Sequence, residues 1–482
     1  GMRRGQAAVA VRARWRLVAH ALLKQTPVLA LLLGAPGLGA AIEGERYLAG
    51  ALLIPALILA AAGLLSRGFE MEDDLRRIEA VATLALIFVL SSLLAIPAFM
   101  VLGLPWLDAL FEAASGITTT GLSVAREAES WPISGHFLRA WMQWCGGVVI
   151  AVAGVALLLD SSRAAQVLGK EAVGEADFFA STRSKARLVL AGYGALTIVG
   201  VALSIPLFPG WWEGPMIALA AVSTGGFSPR DSSLADYSLA AQSFALLLCV
   251  ATSISLLFYA VAWKRGFAIA FRRGTVPVTL GILAGGIALY VVIHGVTRGW
   301  APEALIAGVL NHVSAQTTAG FSVAPVMPAS PLFLLLIVAM ILGGDVGSTT
   351  GGIKTARTTM LARMVRLVFL RLRLPSRALS HLKIGDKRAD AEPILFAAAL
   401  LAIYLTAALI FWAALYGAGH PALPALFDAT SALSGVGLSA GVIGPDLADP
   451  LKALAIFAML LGRLEFFVLI ALFLPSTWIP RS

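Results

Sequence analysis

The chain has 482 residues, a formal net charge of +9, 59% hydrophobic residues and only 13% charged residues. Soluble globular domains carry about 25% charged residues, since a folded surface in water needs them. This composition excludes a soluble enzyme, a nucleic-acid-binding protein and a disordered chain, and it indicates a membrane protein that crosses the bilayer many times. The two cysteines and six histidines show no disulfide or metal-ligand spacing, so no covalently bound cofactor is expected.

Apolar segments long enough to cross a membrane recur along the whole chain. Such a helix needs about 20 mostly apolar residues. Ten spans are predicted, at 17–39, 47–66, 78–103, 137–160, 188–207, 239–263, 276–297, 331–356, 393–416 and 451–474. An alternative for the first is a signal peptide, because Arg3 and Arg4 precede an apolar stretch that ends in small residues. Its cleavage would leave nine spans.

The distribution of basic residues predicts the orientation of these spans. With the N-terminus inside, the inner segments contain 29 Lys and Arg residues and the outer segments contain six. Lys and Arg accumulate on the cytoplasmic side of membrane proteins. Both termini are therefore predicted to be cytoplasmic.

Four outer loops, one for each pair among spans three to ten, contain the same unusual element. A short apolar helical segment, too short to cross the membrane and predicted to be re-entrant, lies at 105–116, 211–222, 302–316 and 421–434. A stretch rich in Ser, Thr and Gly follows each one. The glycines that align are Gly121, Gly226, Gly320 and Gly437, at intervals of 105, 94 and 117 residues. This is an internal repeat, and it divides the chain into an N-terminal pair of helices at 1–77 and four repeats at 78–187, 188–275, 276–390 and 391–482.

The four stretches are predicted to form one ion filter. Non-helical backbone at membrane depth is tolerated where it is buried in protein or lines a watery cavity. Glycine permits the positive φ that turns carbonyls inward, and a carbonyl ring replaces the water shell of a monovalent cation. Small residues that only pack helices are the alternative, but packing gives no reason for four copies. The predicted filter consists of Thr118, Thr119, Thr120, Gly121, Ser223, Thr224, Gly225, Gly226, Thr317, Thr318, Ala319, Gly320, Ser434, Gly435, Val436 and Gly437.

These motifs resemble a known family. The filter sequences TTTGL, STGGFS, TTAGFS and SGVGLS are similar to those of the TrkH/KtrB superfamily of bacterial potassium transporters. The stretches GGDVGSTTGGIKTAR (343–357) and LGRLEFFVLIALFLP (461–475), together with Met142-Gln143-Trp144 and KIGDKR (383–388), resemble the TrkH branch. The resemblance covers about 78–478, and two extra N-terminal spans are also a feature of that branch.

The resemblance implies an all-α membrane protein with four fused helix–pore-helix–helix units around a pseudo-fourfold pore. It implies potassium uptake across the bacterial inner membrane by a homodimer with a cytosolic nucleotide-binding regulatory subunit of the TrkA type. The potassium ion would be bound in the pore by the filter carbonyls of Thr119, Thr120, Gly225, Thr318, Ala319, Gly435 and Val436. Two alternatives stay open, namely a symporter coupled to protons or sodium, with Glu465 and Asp345 as candidate relay carboxylates, and a polytopic membrane enzyme.

The eighth span is rich in glycine and predicts a gate. No continuous helix is favoured there, since each glycine costs about 1 kcal/mol relative to alanine. The resemblance implies an intramembrane loop that obstructs the path below the filter, whereas the alternative is a kinked helix that packs closely. The residues predicted to act in gating are Gly343, Gly344, Asp345, Gly347, Ser348, Gly351, Gly352 and Arg463.

Arg463 lies in the middle of the last span, where a basic side chain is expensive and usually functional. The resemblance places it in the cavity just under the filter. A fixed positive charge about 6 Å from a cation repels it by roughly 3 kcal/mol at an effective dielectric constant near 20. Asp345, which stands where the family usually has a small residue, would partly cancel this field. The alternative is a salt bridge from Arg463 to Glu465 or Asp345 that only holds helices together.

Three further features have open interpretations. Glu112 and Asp428, in the first and fourth short helices, either attract cations or form an ion pair or a backbone cap. Asn311 and His312 in the third are interpreted as packing and hydrogen-bonding groups. The basic run 354–388 is either an anchor to membrane lipid or a docking segment for the regulatory subunit.

Overall fold

The computed structural model describes residues 13–68, 76–154, 182–328, 330–373 and 391–466, together with 383–384, 387–388, 469–470, 473–474 and 478. Most of the inner segment 161–187, the middle of the basic run and the arginines of the signal-peptide alternative lie outside the described residues. The predicted all-α class is confirmed. The described strands are the two-residue β1 (Lys383–Ile384) and β2 (Lys387–Arg388), which pair antiparallel in the last inner loop.

The helices follow the predicted order of spans and short segments. They are α1 (Trp15–Glu43), α2 (Arg46–Leu65), α3 (Arg77–Val101), α4 (Trp106–Ile117), α5 (Ile133–Ala153), α6 (Thr182–Ser204), α7 (Glu213–Val222), α8 (Leu239–Ser253), α9 (Leu257–Arg265), α10 (Phe267–Arg273), α11 (Val276–Arg298), α12 (Pro302–Gln316), α13 (Pro331–Leu342), α14 (Thr355–Arg373), α15 (Ala391–Gly417), α16 (Ala422–Ser434) and α17 (Asp449–Arg463).

Six of the described helices are long and apolar enough to cross a membrane, and α8 with α9 adds a seventh if this bent pair is one span. The six are α1, α2 and the first helix of every repeat, namely α3, α6, α11 and α15. The short segments are α4, α7, α12 and α16, which we call pore helices one to four. Their bounds differ from the predicted ones by at most two residues.

The helix after the filter is interrupted in repeats two, three and four. The predicted sixth span, 239–263, is not continuous, because the chain bends by 81° between α8 and α9. The backbone groups freed at this bend bind the glycine-rich segment of repeat three. Ser253 O accepts a hydrogen bond from Asp345 N at 2.8 Å, and Leu256 N donates to Gly347 O at 3.1 Å. Two broken helices therefore satisfy each other's backbone polar groups, as buried irregular backbone requires.

The predicted eighth and tenth spans also differ from continuous helices. In repeat three, α13 ends at Leu342 and α14 begins at Thr355, with residues 343–354 non-helical between them. In repeat four, α17 ends at Arg463, and the next turn places Glu465 and Phe466 at φ of 52° and 59°. Each break lies beside the pore helices, where other backbone and side-chain groups are available as partners.

The four repeats close into a ring. The helix after each filter packs against the pore helix of the next repeat: α5 contacts α7, α8 contacts α12, α13 contacts α16, and α17 returns to α4. Between repeats three and four, the rings of Phe333 and Phe427 stack with centroids 4.7 Å apart. Helix α1 packs against α2, α3 and α5, outside this ring. Since lipid is as apolar as these side chains, close packing rather than exclusion from water holds such helices together.

Candidate ion pore

All four pore helices end in the same backbone turn. The N–H of the residue before each aligned glycine donates to the carbonyl five positions earlier. These bonds run from Thr120 to Ser115 (3.0 Å), Gly225 to Ala220 (2.7 Å), Ala319 to Ser314 (2.9 Å) and Val436 to Ser431 (2.9 Å). The carboxyl end of each helix, which carries a partial negative charge, therefore leads into its filter segment with the same geometry.

Each filter segment has left-handed backbone at two positions, the aligned glycine and the residue two before it. The φ values are 54° and 84° for Thr119 and Gly121, 51° and 81° for Thr224 and Gly226, 53° and 78° for Thr318 and Gly320, and 62° and 102° for Gly435 and Gly437. Left-handed backbone costs a non-glycine residue roughly 1–2 kcal/mol, and a β-branched residue rarely adopts it. Three threonines held in this way mark a site whose surroundings impose the conformation, as is common where function depends on strain.

The four aligned glycines meet in a closed cycle. A Cβ atom added at any of them would overlap a carbonyl oxygen of the neighbouring repeat. The overlaps are Gly121 with Gly225 O, Gly226 with Ala319 O, Gly320 with Val436 O, and Gly437 with Thr120 O. The four glycines therefore lie next to one another, and the repeats follow one another around the ring in chain order.

The ring shows which carbonyls of the four filter segments are equivalent, and one of them was not among the predicted ion ligands. The four carbonyls in contact with a neighbouring glycine belong to Thr120, Gly225, Ala319 and Val436, all of which were predicted as ion ligands. By position, Thr224 corresponds to Thr119, Thr318 and Gly435, since each lies two residues before its glycine. The Thr224 carbonyl is missing from the predicted ligands, although the alignment of the four glycines is enough to include it.

The polar residues of the pore helices cap the backbone that follows each filter. Nine positions before the aligned glycine lie Glu112, Asn311 and Asp428, and each accepts a hydrogen bond from the N–H three positions after that glycine. The bonds are Val124 N to Glu112 Oε1 (2.8 Å), Val323 N to Asn311 Oδ1 (2.9 Å) and Ala440 N to Asp428 Oδ1 (2.6 Å). These contacts match the capping alternative for the two carboxylates.

Repeat two has no polar residue at the capping position. The residue at the capping position is Ile217, and the residue three after Gly226 is Pro229. Proline has no backbone N–H to cap, so an apolar residue at position 217 leaves no donor unpaired. Repeat two thus lacks both the polar capping side chain and the N–H group that it would cap. This supports a structural role for the capping residues of the other three repeats.

Asp428→Asn is expected to destabilise the protein by about 1–3 kcal/mol, the cost of leaving a buried donor unpaired. Both carboxylate oxygens accept backbone bonds, Oδ1 from Ala440 N and Oδ2 from Val442 N and Ile443 N. An amide must turn its NH₂ group towards one of these N–H groups. The melting temperature of the purified protein should fall, whereas that of the control Ile217→Val should change much less. An Asp428→Asn protein as stable as the control would contradict the capping role.

Arg139, which follows filter one on α5, lies between repeats one and two. It is 5% exposed, its Nε is 3.6 Å from Glu112 Oε2, and its guanidinium carbon lies 4.0 Å from the Phe227 ring centroid. Arg139 is therefore a buried partner of Glu112. Asn311 also donates to Ala324 O at 2.8 Å, whereas neither ring nitrogen of His312 has a hydrogen-bond partner among the described residues.

The glycine-rich segment 343–354, which we call the glycine loop, lies against the filter. Thr349 Oγ1 accepts from Thr224 Oγ1 at 3.1 Å, and Gly351 N donates to Thr318 Oγ1 at 2.9 Å. Gly352 N donates to Ser434 O at 3.1 Å. The loop therefore contacts the filter segments of repeats two, three and four directly. The left-handed threonines of repeats two and three use their hydroxyl groups to hold it.

Arg463 is anchored to the glycine loop rather than to an acidic partner. It is 4% exposed, and Nη1 donates to Thr349 O at 2.9 Å. Within the described residues, its Nε and Nη2 have no hydrogen-bond partner. The carboxylate of Glu465 instead bonds Arg357 Nη2 at 2.8 Å and lies 3.6 Å from Lys354 Nζ. The alternative of a salt bridge between Arg463 and Glu465 is thus not seen.

The carboxylate of Asp345 also forms its hydrogen bonds with groups other than Arg463. Its carboxylate accepts a hydrogen bond from the Thr275 hydroxyl and one from Val346 N, the latter at 2.7 Å. Asp345 forms no ion pair with Arg463 among the described contacts, so the expected direct compensation of the arginine charge is not what these contacts provide. They tie the start of the glycine loop to the end of the preceding inner segment at Thr275.

Comparison with known proteins identifies relatives over most of the chain. The model of the TrkH family, described as a cation transport protein, matches residues 71–271 and 294–479. The Trk system potassium uptake protein TrkH of Halomonas elongata is 31% identical over 392 residues, which cover 77% of this chain and 79% of that protein. An uncharacterized cation transporter of Methanocaldococcus jannaschii is 26% identical over 428 residues, which cover 87% of each chain.

A solved structure has the same fold. The crystal structure of the potassium transporter TrkH from Vibrio parahaemolyticus superposes with a TM-score of 0.83 at 21% sequence identity. The match covers 97% of this chain and 100% of that one. The overall fold is therefore shared over nearly the whole of this chain.

Proposed function

This chain belongs to the TrkH family of cation transport proteins, and we propose that it takes up potassium through a channel-like pore at the centre of the ring of four repeats. The family consists of membrane proteins with several spanning helices and not of enzymes, which answers the enzyme alternative. The relative from Halomonas elongata is named a potassium uptake protein, and the substrate of this chain is proposed accordingly.

The closed ring of filter glycines is the observation that carries this proposal. Four carbonyls, those of Thr120, Gly225, Ala319 and Val436, lie in equivalent places around it. Such a ring can replace the hydration shell of a monovalent cation. The carboxyl ends of four pore helices around it add partial negative charge. The same site would therefore attract a cation and replace its hydration shell.

Gating is proposed to depend on the glycine loop and Arg463. The loop bonds the filter segments of three repeats, and Arg463 holds Thr349 in its middle. A loop in this place would close the path, and the arginine would add a repulsion of roughly 3 kcal/mol for a cation about 6 Å away. Opening would require the loop to leave Thr224, Thr318 and Ser434.

Purified protein in liposomes provides the test of potassium uptake. We expect flux of potassium and rubidium well above that of sodium and lithium, because the carbonyl ring suits the larger, more easily dehydrated ions. Equal flux of all four ions would contradict the proposed filter. Flux that stops without an imposed proton or sodium gradient would favour the symporter alternative.

The contacts of the two candidate relay carboxylates do not favour coupled transport. Glu465 is neutralised by Arg357 and Lys354. Asp345 is bonded to Thr275 and Val346. A proton relay needs carboxylates that can exchange protons along a path, and these two are each bound to separate partners.

Assembly and location extend the same proposal. Since relatives are named as parts of a Trk system, we propose a homodimer in the bacterial inner membrane, with both termini cytoplasmic and a cytosolic nucleotide-binding subunit of the TrkA type. Helix α14 carries five arginines, from Arg357 to Arg373, and would face that side. It would contact either the regulatory subunit or anionic lipid.

A further inference from the structure

We propose that Gln143 is a positioning residue that determines ion specificity, because its side-chain amide holds the backbone of filter segment two on both sides of Gly226. The inference rests on the proposed potassium filter and adds a residue outside the filter segments to it. Gln143 lies on α5, in repeat one, and it is 82 positions from the glycine it contacts.

The amide makes a two-point contact with the filter. Gln143 is fully buried, its Nε2 donates to Gly225 O at 2.7 Å, and its Oε1 accepts from Phe227 N at 3.1 Å. A side-chain amide can donate from its nitrogen and accept at its oxygen at the same time. The reversed orientation would place NH₂ against N–H and oxygen against oxygen, so the hydrogen-bond pattern assigns the two ends. The peptide groups on each side of Gly226 are therefore held in place.

The same contact explains why filter two has two successive glycines. Gly225 does not belong to the glycines with positive φ, so its backbone does not require glycine. A Cβ atom at position 225 would overlap the Gln143 amide. The residues in the same place in other repeats are Thr120, Ala319 and Val436. Gln143 thus accounts for the sequence STGGFS where repeat three has TTAGFS.

Gln143 makes filter segment two chemically different from the other three filter segments. The residues 22 positions after the other filter glycines are Leu248, Leu342 and Met459, none of which can donate a hydrogen bond. Of the four ring carbonyls, that of Gly225 is the one that accepts a side-chain hydrogen bond within the described part of the chain. A carbonyl so held cannot move inward to coordinate a smaller ion as readily as a free one, and sodium is smaller than potassium.

The decisive variants replace Gln143 by the residues found at the corresponding positions of the other repeats. Gln143→Leu supplies the residue found in repeats two and three, and Gln143→Met supplies that of repeat four. Gly225→Ala should be poorly tolerated alone, since the new methyl group overlaps the amide. The double variant Gln143→Leu with Gly225→Ala has room for that methyl group and makes filter two resemble filter three. Met459→Leu is the matched control, because Met459 is equally buried and forms no such bond.

The measurement is the ratio of rubidium to sodium flux per folded transporter in liposomes. Gln143→Leu and Gln143→Met should keep rubidium flux but lower this ratio by about two- to tenfold, the range that loss of one neutral hydrogen bond corresponds to. The double variant should conduct better than Gly225→Ala alone and show the same lowered ratio. Met459→Leu should keep the wild-type ratio.

The results separate this inference from the proposed function. Wild-type protein without preference for rubidium would overturn the filter itself. A selective wild type together with an unchanged ratio in the Gln143 variants, or in the double variant if only that one folds, would overturn the role of Gln143 alone. An equal loss of selectivity in Met459→Leu would also overturn it, since packing rather than the hydrogen bond would then be responsible.

Discussion

Gly226→Ser and Gly320→Ser are each expected to lower the preference for potassium over sodium by about tenfold or more. A Cβ atom at Gly226 would overlap Ala319 O, and one at Gly320 would overlap Val436 O, so either side chain must displace a carbonyl of the ring. The left-handed backbone adds roughly 1–2 kcal/mol of strain, and about 1.4 kcal/mol already corresponds to a tenfold change in an equilibrium. Growth of a potassium-uptake-deficient host at low potassium and flux in liposomes would measure the effect.

The matched control for this prediction is Gly419→Ser. Gly419 has φ of 96°, comparable to the filter glycines, but no atom lies within 4 Å of a Cβ placed there. It therefore tests the backbone strain without the overlap in the ring. Filter variants that grow and select like wild type at equal expression would count against the filter assignment. So would a Gly419→Ser protein with the same loss of selectivity.

Shortening the glycine loop is expected to raise rubidium uptake, and Arg463→Ala is separately expected to raise it by up to about 100-fold. That limit follows from removing a barrier of roughly 3 kcal/mol. Arg463 joins the loop through Thr349 O, so its loss both removes the positive charge and frees the loop. Arg463→Lys keeps the charge and should raise flux much less than the alanine variant does.

The gating prediction needs uptake normalised to folded protein, with size-exclusion chromatography and thermal stability as checks. A stable protein with a shortened loop and flux at or below the wild-type value would show that the loop is not the gate. If Arg463→Ala mainly lost folded protein, the arginine would instead be a structural anchor of the loop. If Asp345 only cancelled part of the Arg463 field, Asp345→Ala would lower flux, but its carboxylate holds Thr275 and the loop backbone. It should loosen the loop rather than strengthen the arginine's field.

Much of the architecture could be predicted because the information is local and repeated. A run of apolar residues of a given length predicts whether a helix can cross the bilayer, whatever its neighbours are. The third short segment, 302–316, coincides with α12 (Pro302–Gln316). One pattern, a short apolar helix followed by a glycine, occurs four times, and it predicted that Gly121, Gly226, Gly320 and Gly437 would lie together around one axis.

The sequence by itself therefore determined the membrane class, the all-α fold and the positions of the four short helices, and it predicted the filter glycines. The choice of partners was decided only by the tertiary structure. Glu465 lies two residues from Arg463 in the chain, yet it pairs with Arg357, 108 positions away. Gln143 contacts a glycine in another repeat, and the backbone groups at the bend before Leu257 form hydrogen bonds with the glycine loop. Hydrogen bonds and ion pairs depend on distances of a few ångströms, and such distances between remote residues arise only when the repeats have packed together.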